Sequence, residues 1–228
     1  ILHNKLARKV NVTIKKNMNE KYKEEWKSFI QNDYSEIIKY FYGQMIQYTE
    51  CECNKISNNY QPFCFLSVSI PQEYNQESCH LDYCIKNYLK NEILDNKNKY
   101  YCEKCDKKTN AKKYVYLSIL PKYLIIQLKR FYYNEKNERF EKNHTNIEYD
   151  LKMEFNEIID KRINKNNFKY RLKTIINHIG NIDDGHYFTF SHRNNNWYCL
   201  NDEKIIEINE SHLNENSKYA YILFYEQY

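Results

Sequence analysis

The chain has 228 residues, a net charge of +5, and 24 tyrosines and 11 phenylalanines set against 3 glycines and 3 prolines. That length is enough for one domain, or one domain with a small appendage, and the aromatic stock suits a sheet-rich interior. No apolar run approaches a membrane span and no signal-peptide pattern opens the chain, so no membrane partner is expected. The mild positive charge reads as a solvated basic face. The 8 unevenly spaced cysteines predict reduced thiols and a metal site rather than a disulfide framework, which points to the cytosol or nucleus. Because it opens on Ile1 rather than methionine, the chain is expected to be a piece of a longer protein.

Residues 1–42 read as helical, with Trp26, Phe29 and Ile30 at helix spacing, Ser35 as a cap, and Gly43 as the stop. From Gln44 to Ile70 the pattern is that of strands, with Cys51 and Cys53 in a connection and Cys64 as a buried, inert thiol. Over 76–94, Leu81, Cys84, Ile85, Tyr88 and Leu89 make one apolar stripe, predicting a helix capped by Ser78. Cys79, His80 and Cys84 on that stripe read as packing or surface residues rather than ligands. Cys102-Glu103-Lys104-Cys105 is a knuckle whose two thiolates can chelate one metal ion, and Cys51 and Cys53 are the pair available to close a tetrahedron. The competing redox reading fits less well, because the strongly polar residues 106–113 do not open a helix. Two strands follow around Pro121, then a polar loop from Tyr132 to Asn146, a strand from Phe168 to Ile179, and a terminal strand from Tyr219 to Tyr225.

The stretch that carries chemistry runs from Gly185 to Asp202. Tyr187 to Phe190 form an aromatic, β-branched run, Asn194, Asn195 and Asn196 supply turn residues, and Trp197 to Leu200 form the return strand. With the turn near Asn194, pairing places His186 roughly opposite Asn201 and Asp202. A histidine with an amide and a carboxylate across the ladder is two-thirds of a catalytic triad. On these residues alone, an ordinary hairpin with a surface histidine stays open. His192, near the turn, is expected to be solvated.

Gly185-His186-Tyr187, followed by Trp197-Tyr198 and Asn201-Asp202, resembles the histidine box of the ubiquitin-specific proteases, a family of cysteine deubiquitinases. The resemblance extends in order from about residue 26 to the end. It takes in Phe41-Tyr42-Gly43-Gln44, the cysteine pairs, the strand from Leu120-Pro121 to Phe131 and the closing strand. It implies an α+β fold of the papain-like hand type, with a thumb remnant over 1–42, zinc-ribbon fingers with an intervening helix over 43–120, and a palm over 121–228. It implies His186 as general base, Asn201 as the residue that orients it and Asp202 as an auxiliary group. His178, Asp184 and Tyr187 would lie where the ubiquitin tail enters, and His178 ranks below His186 because it lacks a partner across the hairpin.

Cys51, Cys53, Cys102 and Cys105 would bind a structural Zn²⁺. The first pair departs from the family spacing, with Glu50 standing where a cysteine is usual. Residues 132–146 fall where the family has a mobile loop over the substrate channel. No cysteine precedes Cys51, so the nucleophile is expected upstream of Ile1, with Cys199 a packing residue. The implied partners are ubiquitin and ubiquitinated proteins. Two alternatives stand beside the enzyme, a ubiquitin-binding pseudoenzyme and a zinc-ribbon protein that binds nucleic acid. Against the latter, the aromatics read as core rather than as an exposed stacking platform.

Overall fold

A computed structural model describes residues 2–11, 21–32, 34–71, 77–156, 158–160 and 168–228, arranged as two compact units. The first comprises Ile1–Cys64, Leu89–Lys122 and Phe155–Asn167, the second Phe65–Tyr88, Tyr123–Glu154 and Phe168–Tyr228. Among the described residues no helix is long and apolar enough to cross a membrane.

In the first unit four antiparallel strands lie in the order Ile56–Phe63, Gly43–Cys51, Ala111–Ile119, Glu92–Leu94. Gly43 opens its strand because nothing larger fits, since a Cβ there would lie 2.5 Å from Ile119 O and 2.6 Å from the Phe63 ring. The next residue, Gln44, is buried and satisfied, donating from Nε2 to Tyr22 O at 3.1 Å and accepting from Ser118 Oγ at 2.9 Å. The expected N-terminal helicity resolves into Leu2–Leu6, Lys21–Asn32 and Glu36–Phe41, with residues 12–20 outside the described ones. Ser35 caps the last of these, its Oγ accepting from Ile38 N at 3.3 Å. Cys64 is half-buried in the connection after Ile56–Phe63 rather than buried within a strand.

The second unit is built on one sheet, in the order Lys204–Ile208, Asn196–Asn201, Gly185–Arg193, Lys169–Gly180, Ala220–Gln227, Tyr123–Lys129, Leu66–Ser69. Lys152–Glu154 also pairs with Lys169–Gly180, and the pairing is antiparallel except at Leu66–Ser69. Leu66, Val68, Leu124, Ile126, Ile175 and Leu223 are fully buried along it, the alternation that one covered face imposes.

Two expectations fail here. The helix expected over 76–94 covers only Leu81–Tyr88, because Ser78–His80 is taken by a parallel pairing with Asn146–Glu148, and Glu92–Leu94 by the Ala111–Ile119 strand. The loop expected from Tyr132 to Asn146 contains a hairpin, Phe131–Asn134 with Arg139–Lys142. Its turn is built by Asn134 Oδ1, which accepts from the backbone N–H groups of Lys136 and Asn137, and by Glu138 at φ 50°.

The Arg130 guanidinium, with no exposed surface, holds the irregular parts of this unit together. Nε donates to Ala220 O at 2.5 Å, Nη1 to Asn143 O and Thr145 O at 3.0 Å each, and Nη2 to Ser217 O at 3.1 Å. Arg130→Met would take this donor from all four carbonyls, though Ser217 O keeps the backbone N–H of Ala220. The expected cost is roughly 3 kcal/mol or more in a denaturant titration. Arg130→Lys should recover only part of it, since a point-like ammonium cannot span the same fork of acceptors.

Candidate active site

Gly185–Arg193 and Asn196–Asn201 pair with Arg193 opposite Asn196, leaving Asn194 and Asn195 as a two-residue turn. Both have positive φ, 48° and 67°, the left-handed pair of a type I′ turn that asparagine tolerates well. With Thr189 opposite Leu200, the register carries Asn201 alongside Phe188, one diagonal step from His186 on the same face. His186 Nε2 lies 2.5 Å from Asn201 Oδ1. An amide oxygen only accepts, so this contact places the ring proton on Nε2 and leaves Nδ1 as the basic nitrogen. Asp202, at φ 50° in the next turn, brings its Oδ2 to 4.0 Å from the same Nε2. Its side chain is 79% exposed, so the pull on the ring is weak beside that of Asn201. The His186 side chain is itself 48% exposed and open to a reacting group.

The other candidates on this sheet divide by burial. His178 is 4% exposed, with its ring packed against Tyr187 at 4.6 Å, Phe131 at 5.5 Å and Tyr221 at 6.0 Å. Its Nδ1 is 2.9 Å from Lys142 Nζ, and burial with that ammonium depresses its pKa. Tyr187 is 54% exposed, and Asp184 is exposed with its carbonyl accepting from Asn181 N at 2.8 Å. His192 is half-buried rather than solvated, its ring 5.2 Å from that of Trp197 and its Nδ1 3.3 Å from Lys173 Nζ. Cys199 shares the face of His186, but burial raises its thiol pKa, the reverse of what a nucleophile needs.

A cleft of about 890 Å³ lies between the hairpin at 131–142 and the loop at 181–183, lined by Phe131, Phe140, Lys142, His144, Asn181 and Asp183 among others. Sequence reasoning passed over Lys142. The one signal available was a lysine following Phe140 at a strand's alternation.

The second constellation belongs to the first unit. Cys51 ends a strand and Cys53 lies in the turn that follows, where Asn54 at φ 62° bends the chain back. The Cys102–Cys105 turn is bent in the same way by Asp106 at φ 51°. The four Sγ atoms lie within 4.8 Å of one another, with Cys51–Cys105 at 3.8 Å and Cys53–Cys102 at 3.7 Å. Four sulfurs at about 2.3 Å from a tetrahedral metal would be about 3.8 Å apart, so donor set and spacing fit a thiolate-preferring ion such as Zn²⁺. The close turn makes the one-residue spacing of the first pair workable. Glu50, engaged by the Tyr114 hydroxyl at 3.2 Å, is not part of the cluster.

The Cys53 backbone N–H and the Thr109 hydroxyl hold the Cys51 thiol down to about 6, while Cys53 and burial push Cys105 up to about 12. Four thiolates this close need a cation to coexist. Cys79 and Cys84 also approach, at 3.6 Å, but burial pushes Cys84 up to about 12 and marks a packed thiol pair.

A family model described as ubiquitin carboxyl-terminal hydrolase matches residues 2–225. A probable ubiquitin carboxyl-terminal hydrolase of Acanthamoeba polyphaga mimivirus is 32% identical over 210 residues, covering 88% of this chain and 43% of that protein. Ubiquitin carboxyl-terminal hydrolase 2 of Gallus gallus is 30% identical over 211 residues, covering 91% and 57%. This chain therefore spans about half the length of these relatives. Among solved structures, the SAGA Ubp8/Sgf11/Sus1/Sgf73 DUB module bound to ubiquitin aldehyde matches with a TM-score of 0.73 at 23% identity. The match covers 89% of this chain and 46% of the other and supports the α+β hand as the fold.

The histidines also make a pH prediction. Burial, reinforced by nearby cations, lowers the pKa of His144, His178 and His192 below the usual 6.5. The folded state thus binds fewer protons than the unfolded one just below that value. The stability these groups contribute is complete above about pH 6.5 and is lost as the pH falls through the folded-state values. Urea midpoints should decline between about pH 7.5 and about pH 5, and His178→Gln should flatten the decline.

Proposed function

Because the chain belongs to the ubiquitin carboxyl-terminal hydrolase family, we propose that it supplies the general base and a structural zinc site of a cysteine-type deubiquitinase. The substrates would be ubiquitin conjugates, cleaved at the isopeptide bond after the ubiquitin C-terminus. What carries the reading is the 2.5 Å contact of His186 Nε2 with Asn201 Oδ1, which turns Nδ1 toward the role of proton acceptor. The nucleophilic thiol would come from a part of the protein outside this chain. His186 takes its proton, the thiolate attacks the carbonyl carbon, and the imidazolium returns the proton to the departing amine. Water, deprotonated by the same ring, then cleaves the thioester and frees the thiol. Asn201 orients the ring, and Asp202 adds a weaker acceptor beside it.

On this reading residues 1–42 belong to a thumb, 43–120 to zinc-ribbon fingers and 121–228 to a palm. Asp184 and Tyr187, with His178 behind them, border the entry of the ubiquitin tail. Cys51, Cys53, Cys102 and Cys105 would hold Zn²⁺, which when bound ties two turns together. With four thiolates it has no open position for water and takes no part in the chemistry. Reduced thiols of this kind suit the cytosol or nucleus.

A second reading is a ubiquitin-binding protein without turnover, in which the same hairpin has no activated thiol to serve. The complete protein separates the two. A thiol-directed ubiquitin probe should label the enzyme outside this chain and leave the pseudoenzyme unlabelled.

In the complete protein, His186→Ala should lower kcat by about 10²- to 10⁴-fold with ubiquitin affinity retained. Asn201→Ala should cost less, and the Asn201→Ala/Asp202→Ala double variant more than either alone. Equal loss of affinity and turnover in every variant would make the hairpin a folding element only. For the metal, elemental analysis should find about one zinc per chain, and Cys102→Ser or chelation should lower the melting temperature. A zinc-free chain of unchanged stability would exclude the site.

A further inference from the structure

We propose that Lys142 and His178 form a clamp that sets the position of His186, so that both act as positioning residues for the base. This inference rests on the assignment of His186 as the base.

Lys142 ends the Arg139–Lys142 strand and is only 9% exposed. Buried ammonium groups persist only when their donors are used, and here all three have acceptors. Nζ is 2.7 Å from His178 O, 3.1 Å from Gly180 O and 2.9 Å from His178 Nδ1. Two of these acceptors are backbone carbonyls where the Lys169–Gly180 strand leaves the sheet, at Gly180 with φ 98°. The third fixes the tautomer of His178. With Nδ1 accepting, the proton sits on Nε2 and the ring stays neutral.

The orientation imposed on that ring is what reaches the base. His178 Nε2 lies against Gly185, where a Cβ would stand 2.2 Å from Nε2 and 2.8 Å from Cε1. Gly185 pairs with Gly180, and its successor His186 pairs with Ile179. The imidazole of His178 therefore bears on the peptide that immediately precedes the base. The lysine that orients it also grips the opposite strand at both 178 and 180. These are the last pairs of the ladder before the exposed Asn181–Asp184 loop, where strand ends ordinarily fray. The clamp stiffens that end, and the Gly185-His186 sequence follows from it, because any other side chain at 185 would displace the ring. It also ties the wall of the 890 Å³ cleft to the base, since Lys142 belongs to both.

Two measurements test this. In the chain itself, with ¹⁵N-labelled histidine, the wild type should show a protected His186 Nε2–H held by Asn201. In Lys142→Met that proton should exchange at least about tenfold faster, with the Trp197 fluorescence of the folded state retained. His178→Gln, which removes the ring while leaving the lysine its two carbonyl acceptors, should do the same and serves if Lys142→Met fails to fold. In the complete protein, Lys142→Met and His178→Gln should each lower kcat by about tenfold or more, with KM nearly constant for Lys142→Met, because a small misplacement of the base is costly. The double variant should be no worse than the worse single one. An unchanged His186 proton in folded Lys142→Met and His178→Gln, or additive losses in the double variant, would overturn the clamp. If the complete protein turned over nothing while Lys142→Met still released the His186 proton, the clamp would stand and the deubiquitinase reading would fall. If Lys142→Met kept full turnover, the reading would stand and the clamp would fall.

Discussion

The buried guanidinium of Arg130 is the constraint on which the second unit depends. A sheet can satisfy its own backbone, but the irregular residues 143–145 and the short 3₁₀ turn Ser217–Tyr219 that leads into Ala220 leave carbonyls in need of donors inside the protein. One residue donates to Asn143 O, Thr145 O, Ser217 O and Ala220 O, and burial lowers even its pKa to about 10. By holding Ala220 it also fixes the start of the closing strand, where Ala220 pairs with Asn177. Asn177 in turn pairs with Phe188, two residues along from His186. The geometry at His186 is thus the far end of a lattice whose irregular edge is pinned by a cation.

Both candidate constellations are made by tight turns with residues in the left-handed region, Asn194, Asn195 and Asp202 around the histidine, Asn54 and Asp106 around the cysteines. The chain has only 3 glycines, so asparagine and aspartate take the place glycine usually fills. A composition that looks like mere asparagine excess therefore carries structural information at these positions.

Much of this was legible in the sequence because the informative contacts are local or come from paired motifs. The His186–Asn201 pairing follows from a turn eight residues from the histidine, and the two cysteine pairs advertise each other by spacing. What was not legible depends on distant partners. Ser78–His80 looks like the first turn of a helix until Asn146–Glu148, nearly seventy residues on, claims it as a strand. The hairpin at 131–142 lacks the glycine that usually marks such a turn, relying on Asn134 and Glu138 instead. Lys142 carries no motif of its own, and its meaning appears only when the carbonyls of His178 and Gly180 are brought to it.

The two-residue turn at Asn194 and Asn195 has a consequence for fidelity. Side chains alternate along a strand, so a slip of the return strand by one residue would send Asn201 to the opposite face from His186 while leaving most backbone pairing intact. A misregistered hairpin would therefore not be a weaker site but no site. The turn makes correct assembly an all-or-none event, decided before any substrate arrives.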